Sequence, residues 1–336
     1  MKRPGWAGWL RMLAGVGILA VLVGHLGSAA FLDGLRRIDA GTLLAGLGLG
    51  LLTTVFSAWR WCLVARGLGL RLPLGPAVAD YYRALFLNAA LPGGVLGDVH
   101  RAVRHGRSAG DLGRGVRAVV LERAAGQLVL CVAGAVALLV RPSTVPAPAR
   151  RALAAPGVAL PVAGAAVLLL AVALWLRRRR GTSRGARALR AALAEARQGL
   201  FGPGIWPGVA LSSAVVLAGY LAMFVLAARV AGVSAPLAEL LPLIVLALLA
   251  MALPLNVGGW GPREGVAAWA FGAAGLGAAQ GLTSAVVYGV LAFAASLPGA
   301  AVLLVRRAAG PVPAAGPEVQ LEERVLAEQG APHRRP

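Results

Sequence analysis

Charged residues are scarce in this sequence. Of its 336 residues only 14% are Asp, Glu, Lys or Arg, whereas 58% are hydrophobic and the mean hydropathy is +0.75. A soluble domain carries about 25% charged residues, which cover its surface. The shortage of charge therefore disfavours a soluble globular domain.

Residues that hold metals or perform redox chemistry are also few. The two cysteines, Cys62 and Cys131, are too few for a disulfide framework or a metal site. The four histidines lack the spacing of metal ligands, and neither a G-x-x-x-x-G-K-[ST] loop nor an H-E-x-x-H motif occurs. We therefore expect no metal and no cofactor, assign no catalytic residue, and disfavour a nucleotide-driven pump.

Long apolar runs are the main positive feature. Each has about 20 residues or slightly fewer, which matches a hydrocarbon core about 30 Å thick. The runs are 12–31, 41–58, 124–140, 157–176, 207–228, 237–255, 265–280 and 282–305. Because irregular backbone cannot face lipid, these runs predict an all-α, polytopic transmembrane helix bundle with about eight spans.

A further apolar stretch, 73–97, is interrupted by Pro, Gly and the polar residues Asp80, Arg83 and Asn88. It is too broken for an ordinary span. Non-helical backbone at membrane depth is tolerated only where other helices or a cavity shield it. We therefore predict a re-entrant segment buried against other helices.

Basic clusters predict the orientation. Short cytoplasmic loops collect Lys and Arg, and the strongest clusters lie at 98–117, at 177–197 and at the two ends of the apolar region. Eight spans plus one re-entrant segment place all of these clusters on one side, with both termini in the cytoplasm. The predicted domains are a membrane domain, 1–307, and a flexible cytoplasmic tail, 308–336.

The net charge of +20 does not indicate a nucleic-acid partner, because the charges lie at the ends of spans and suit anionic lipid headgroups. Of the 33 basic residues only Lys2 is a lysine, and Ala and Gly are abundant. That usage is typical of a GC-rich bacterial genome. We therefore expect a multi-pass protein of a bacterial inner (cytoplasmic) membrane, with membrane lipids as partners, anionic phospholipids foremost.

Three polar places inside the apolar region are candidate substrate-binding sites, because ionisable residues within a membrane are costly and indicate function. The first is a broken segment comprising Asn88, Pro92, Gly93, Gly94, Gly97, Asp98 and Arg101. The second is the pair Glu122 and Arg123. The third comprises Asn256, Gly258, Gly259, Gly261, Arg263 and Glu264.

Spacing predicts contacts within these places. Asp98 and Arg101 stand at i and i+3, so they can meet on one helix face. Glu122 and Arg123 are adjacent and need partners elsewhere, or a headgroup. The first and third places both run Leu-Pro, Gly-Gly, a later Gly and then charge, as in transporter sites built from two broken helices. The alternative is that the charges form structural ion pairs that hold broken helices together.

These residues identify a family resemblance. The chain, over about residues 10–307, resembles the transmembrane domain of lysylphosphatidylglycerol synthases, a set of flippase-like membrane proteins. The matching marks are Trp59-Arg60, Asn88, Leu91-Pro92-Gly93, Gly97-Asp98, Arg101, Glu122-Arg123, Gly258-Gly259, Gly261 and Arg263-Glu264. The resemblance implies a helix bundle with re-entrant pieces that handles phospholipid-like molecules. In bifunctional members a soluble domain makes the aminoacyl lipid; the tail after 307 is too short for one, so an enzyme is not expected.

The resulting hypothesis is a translocator of a phospholipid or lipid-linked substrate. Arg101, Arg123 and Arg263 would hold a phosphate, since guanidinium matches phosphate geometry. The three carboxylates would orient those arginines or contact a cationic headgroup. Two alternatives remain: a membrane-embedded headgroup transferase that uses Asp98 or Glu264, and a non-catalytic partner subunit of an envelope-lipid pathway.

Overall fold

A computed structural model describes residues 32, 36–91, 94–140, 194–251 and 260–308. Within these ranges the regular structure is helical, which confirms the all-α class. The helices are α1 (Ala40–Gly67), α2 (Leu74–Ala90), α3 (Leu96–Ser108), α4 (Leu112–Val140), α5 (Trp206–Val230), α6 (Leu237–Met251), α7 (Pro262–Ala273), α8 (Ala278–Ser296) and α9 (Pro298–Ala308). A short additional helix covers 194–201.

Four segments are long and apolar enough to cross a bilayer: α1, Leu112–Ala137 of α4, α5, and Ala278–Leu304, which joins α8 to α9. They confirm the apolar helices predicted from four of the runs. The run 237–255 gives the shorter apolar helix α6, and the runs 12–31 and 157–176 lie outside the described residues, as does the tail from 309. The count of eight spans, the orientation and the domain division therefore stay predictions.

The run 265–280 does not form the single span that its composition predicts. It divides into the end of α7, a turn, and the start of α8. Gly275 and Gly277 in that turn have φ of 78° and 93°, a region that glycine enters without steric cost. With 12 residues, α7 is also shorter than a membrane-crossing helix needs to be.

The broken stretch 73–97 forms α2, a break, and the start of α3. The two helices pack antiparallel: Asn88 near the end of α2 contacts Asp98 at the start of α3, and Asp80 contacts Arg104 further along. A Cβ atom at Gly97 would collide with the backbone of Ala84, so glycine allows the close approach. The predicted interruption is therefore present, while its depth in the membrane stays a prediction.

Helix α1 begins at an N-cap and then passes through the centre of the bundle. The Thr42 amide donates to Asp39 Oδ1 at 2.7 Å. Hydrogen bonds from the Thr42 side chain and from this amide lower the pKa of the Asp39 carboxyl. Further along, Gly50 lies against Ala295 of α8 so closely that a Cβ would collide. A Cβ atom added to Gly219 of α5 would likewise collide with the Thr53 side chain of α1. Small residues at these crossings let the three backbones approach, as in membrane helix pairs.

The burial pattern of α1 is inverted relative to a helix of a soluble protein. Thr53, Ser57 and Arg60 are buried on one face, at i, i+4 and i+7, whereas Leu44 and Leu51 are 69% and 52% exposed. In water this arrangement would expose apolar surface and bury polar groups. It is favourable in a bilayer, where the outer face contacts lipid. The buried polar face of α1 becomes one wall of the candidate site.

Candidate functional site

The carboxylate of Glu122 on α4 is fully buried. It accepts hydrogen bonds from Nη2 of Arg60 and Nη2 of Arg101, both at 2.6 Å, and from the Tyr81 hydroxyl at 3.3 Å. A buried carboxylate is tolerated when it is paired and hydrogen-bonded in this way. Glu122 therefore joins α1, α2, α3 and α4.

Asp98 is the second centre of the same network. It accepts from Nε of Arg101 at 2.8 Å, from Nη2 of Arg123 at 2.8 Å and from Nδ2 of Asn88 at 3.2 Å. The Asn88 side-chain oxygen in turn accepts from the Gly97 amide at 2.7 Å. The contact at i and i+3 predicted for Asp98 and Arg101 is present, and together these bonds fix the two sides of the break.

The network holds more arginines than carboxylates. Glu122 and Asp98 face three guanidinium groups, those of Arg60, Arg101 and Arg123. Arg101 is fully buried between the rings of Trp61 and Tyr81, at 4.8 Å and 4.5 Å from the two centroids. Arg123, by contrast, has a side chain that is 42% exposed. Arg60 and Arg101 are buried, so the net positive charge of the network is exposed through Arg123.

The second charged group lies at the start of α7. Glu264 Oε2 accepts from the Gly261 amide at 2.7 Å, and its other oxygen accepts from Arg263 Nε at 3.0 Å. Gly261 has φ of 116°, which glycine adopts without strain. The Arg263 guanidinium faces the rings of Trp260 at 5.3 Å and Tyr288 at 4.9 Å.

The two adjacent charge pairs behave differently. Glu122 and Arg123 point to different partners, as their spacing on a helix requires. Arg263 and Glu264 do contact each other, because they lie in the first turn of α7. There Glu264 folds back towards the helix N-terminus and its second oxygen stays within reach of Arg263.

A cavity of about 260 Å³ lies between the two charged groups. Arg123 enters it from the first group and Arg263 from the second, although they are 140 positions apart in the sequence. Among the described residues the remaining polar lining comes from hydroxyl and amide groups, and no carboxylate lines the cavity. These residues are Thr53, Thr54, Ser57, Tyr81, Asn88, Tyr220, Tyr288 and Ser296, and Trp260 adds its indole ring.

The predicted site residues divide into three sets. Four of them line the cavity: Asn88, Gly94, Arg123 and Arg263. Six lie behind the lining, where they hold those residues or the backbone in place: Gly97, Asp98, Arg101, Glu122, Gly261 and Glu264. The other five fall outside the described residues: Pro92, Gly93, Asn256, Gly258 and Gly259.

The position of Arg101 differs from the expectation that it holds a phosphate together with Arg123 and Arg263. Two carboxylates already take its Nε and Nη2 groups, it is fully buried, and it does not line the cavity. Its place in the structure is that of a support for Asp98 and Glu122.

The hydroxyl face of α1 is a part of the site that the sequence motifs did not identify. Thr53, Thr54 and Ser57 all line the cavity, and the first two also donate to the Gly50 carbonyl. The signal was present: three hydroxyl residues within five positions, spaced for one helix face, inside the otherwise apolar run 41–58. In a membrane helix such a stripe faces protein rather than lipid.

Long apolar helices that enclose a charged cavity beside broken helices define a multi-pass membrane protein. The chain belongs to the family described as the lysylphosphatidylglycerol synthase TM region, whose model matches residues 8–299. Membership confirms the family resemblance and implies association with membrane lipids. No curated protein and no solved structure matches the chain.

Proposed function

We propose that this protein binds the phosphate of a phospholipid or lipid-linked substrate in the central cavity and translocates it across a bacterial inner membrane. The observation that carries the proposal is the convergence of Arg123 and Arg263 on one cavity, each supplied by a different charged group. A guanidinium presents parallel N–H donors to phosphate oxygens, so two of them form a strong site for a phosphate.

The hydrogen bonds of the two arginines leave donors for such a ligand. Among the described residues Arg123 donates only through Nη2, to Asp98. Arg263 donates through Nε and Nη2 to Glu264, and among the described residues its Nη1 donates only to the sulfur of Met251, at 3.8 Å. Thioether sulfur is a weak acceptor. A phosphate oxygen would be a far stronger partner for that group.

The size of the cavity fits a headgroup rather than a whole lipid. Its volume of about 260 Å³ lies just below the 300–1,000 Å³ typical of sites for drug-sized ligands. Two acyl chains would need far more room than this. The headgroup is therefore expected to occupy the cavity while the acyl chains stay in the surrounding hydrocarbon.

The geometry favours transport over headgroup transfer. A transferase would need Asp98 or Glu264 as a general base within reach of the substrate. Both carboxylates accept hydrogen bonds from arginines, and neither lines the cavity. Neither carboxylate can therefore reach a substrate that is bound in the cavity.

Vesicle transport tests the proposal. The full-length protein is reconstituted into vesicles that carry fluorescent anionic or zwitterionic phospholipids, and the rate at which label becomes accessible from the other leaflet is measured. We expect movement above that of protein-free vesicles, and a loss of about tenfold or more in both Arg123→Gln and Arg263→Gln, because each removes a charge-assisted contact to the phosphate.

Arg114→Gln is the matched control, since its side chain is 47% exposed and pairs with Asp111 away from the cavity. Its rate should equal that of the unmodified protein. Size-exclusion profiles of all variants check that the fold is retained. An unchanged rate in both cavity variants would rule out this site as the route.

A further inference from the structure

Hydroxyl groups that are buried in helices usually hydrogen-bond to the backbone of their own helix. In the described residues eight serine and threonine side chains are buried. Five of them donate to a carbonyl three or four residues earlier: Thr53, Thr54, Ser212, Ser284 and Ser296. Ser213 accepts from Nη1 of Arg60 at 3.1 Å, and Thr283 is not without a partner either. A partner is therefore the rule for the hydroxyl groups buried in these helices.

The eighth side chain, Ser57 on α1, is the exception. It is 1% exposed, and among the described residues its hydroxyl has no hydrogen-bond partner. The hydroxyl does not donate to the carbonyl of Thr53, which lies four residues earlier and is the acceptor that a helix offers it. Buried polar atoms are nearly always paired, so an exception needs a physical explanation. Because Ser57 lines the cavity, a bound ligand can supply the missing partner.

The bundle holds Ser57 in place from both directions along α1. One turn further on, Arg60 is buried and donates through Nη2 to Glu122 at 2.6 Å. Two turns earlier, Gly50 lies against Ala295 of α8, where an added Cβ atom would collide. Ser57 therefore lies on a helix face that is fixed on either side of it. A donor that is preorganised in this way binds a ligand at a smaller cost in entropy.

The other two hydroxyl groups of the same helix face are already engaged. Thr53 and Thr54 line the cavity, but they donate to the Gly50 carbonyl at 3.1 Å and 2.7 Å. A hydroxyl group has a single hydrogen to donate. Of the three hydroxyl groups that α1 brings to the cavity, only that of Ser57 keeps its hydrogen for a ligand.

We infer that Ser57 is a substrate-binding residue, whose Oγ donates a hydrogen bond to an oxygen of the phosphate that Arg123 and Arg263 bind. This inference rests on the proposed function and adds a third donor to its site. Phosphate oxygens accept from hydroxyl groups as well as from guanidinium groups. The three residues line one cavity of about 260 Å³, so a single phosphate can meet all of them. An unpaired buried hydroxyl costs free energy, and binding of the phosphate removes that cost.

Two measurements on Ser57→Ala test the inference. Isothermal titration calorimetry on the full-length protein in a neutral detergent is performed with short-chain phosphatidic acid, short-chain phosphatidylglycerol and inorganic phosphate. Ser57→Ala should weaken the binding of both lipids by about tenfold, because it removes one hydrogen bond to a charged group. The unfolding midpoint without ligand should stay the same or rise, since the hydroxyl that is removed has no partner there. A purely structural role would instead lower affinity and stability together.

Two further variants serve as comparisons. Ser212→Ala is the matched control, because Ser212 is fully buried on α5, donates to the Val209 carbonyl and does not line the cavity. It makes the same chemical change and should bind both lipids as the unmodified protein does. Thr54→Val removes a hydroxyl group from the cavity face that already donates to Gly50, so it should weaken binding less than Ser57→Ala does.

The outcomes separate this inference from the proposal on which it rests. Unchanged affinity in Ser57→Ala, with binding lost in Arg263→Gln, would overturn the role of Ser57 and leave the proposed function standing. A loss for phosphatidylglycerol but not for phosphatidic acid would overturn the phosphate as its acceptor. Failure of both lipids to bind to the unmodified protein would overturn both proposals. Inorganic phosphate that binds as tightly as the lipids, and about tenfold more weakly in Ser57→Ala, would support the role of Ser57 and overturn the lipid assignment.

Discussion

At the scale of single residues, Glu122 holds the site together by pairing with Arg60 and Arg101, at 2.6 Å each. Glu122→Gln would leave two buried guanidinium groups without this counter-charge. Removing one partner of a buried pair costs about 3–5 kcal/mol. We therefore expect a loss of stability of that order, measured as a lower unfolding midpoint in detergent.

The control for this prediction is Glu195→Gln. Glu195 pairs with Arg117 at 2.7 Å, but both side chains are more than one third exposed. Exposed pairs contribute about 0–1 kcal/mol, so this variant should unfold almost as the unmodified protein does. Equal midpoints for the two variants would show that the Glu122 network is not a structural support.

At the scale of elements, the crossings of α1 with α5 and α8 depend on glycine. Gly50→Ala would place a Cβ atom against that of Ala295, and overpacking of this kind costs about 1–3 kcal/mol. Gly48 is two positions away on the same helix and is exposed, and a Cβ atom added there would have no neighbour within 4 Å. Gly48→Ala should therefore be neutral or stabilise by up to about 1 kcal/mol through helix propensity.

The measurement is thermal unfolding of both variants, together with transport in vesicles. Gly50→Ala should lower the unfolding midpoint and also disturb the cavity, because Gly50 and Ala295 both line it. If Gly48→Ala destabilised as much as Gly50→Ala, the loss would not be specific to the crossing with Ala295.

The elements also show how far the sequence predicts this fold. Run length and apolar composition predicted α1, α4, α5 and α8, because lipid imposes those properties directly. The prediction from the run 265–280 was wrong, since apolar composition continues through the turn at Gly275 and Gly277 and only backbone conformation separates α7 from α8. The hydroxyl face of α1 was missed because single hydroxyls in an apolar run resemble tolerated helix residues.

At the scale of the whole molecule, the cavity joins groups that no local pattern relates. The sequence predicted Arg123 and Arg263 as candidates because charge within apolar sequence is costly. It could not predict that Arg101 turns away to Glu122 while Arg123 faces the cavity, because that choice depends on how α3 and α4 pack. The structure thus places two separate candidates in the lining of one cavity.

A double-mutant cycle tests whether the two arginines hold one phosphate. If they do, Arg123→Gln and Arg263→Gln should each strongly weaken the binding of a short-chain anionic phospholipid, while the double variant should lose less than the sum of the single losses. Residues that share one ligand couple by about 0.5–3 kcal/mol, whereas independent sites add within about 0.3–0.5 kcal/mol. Arg114→Gln combined with Arg263→Gln provides the additive reference, because Arg114 lies away from the cavity. If the losses caused by Arg123→Gln and Arg263→Gln also added, each arginine would serve a separate site. The phosphate would then not be held between the two charged groups.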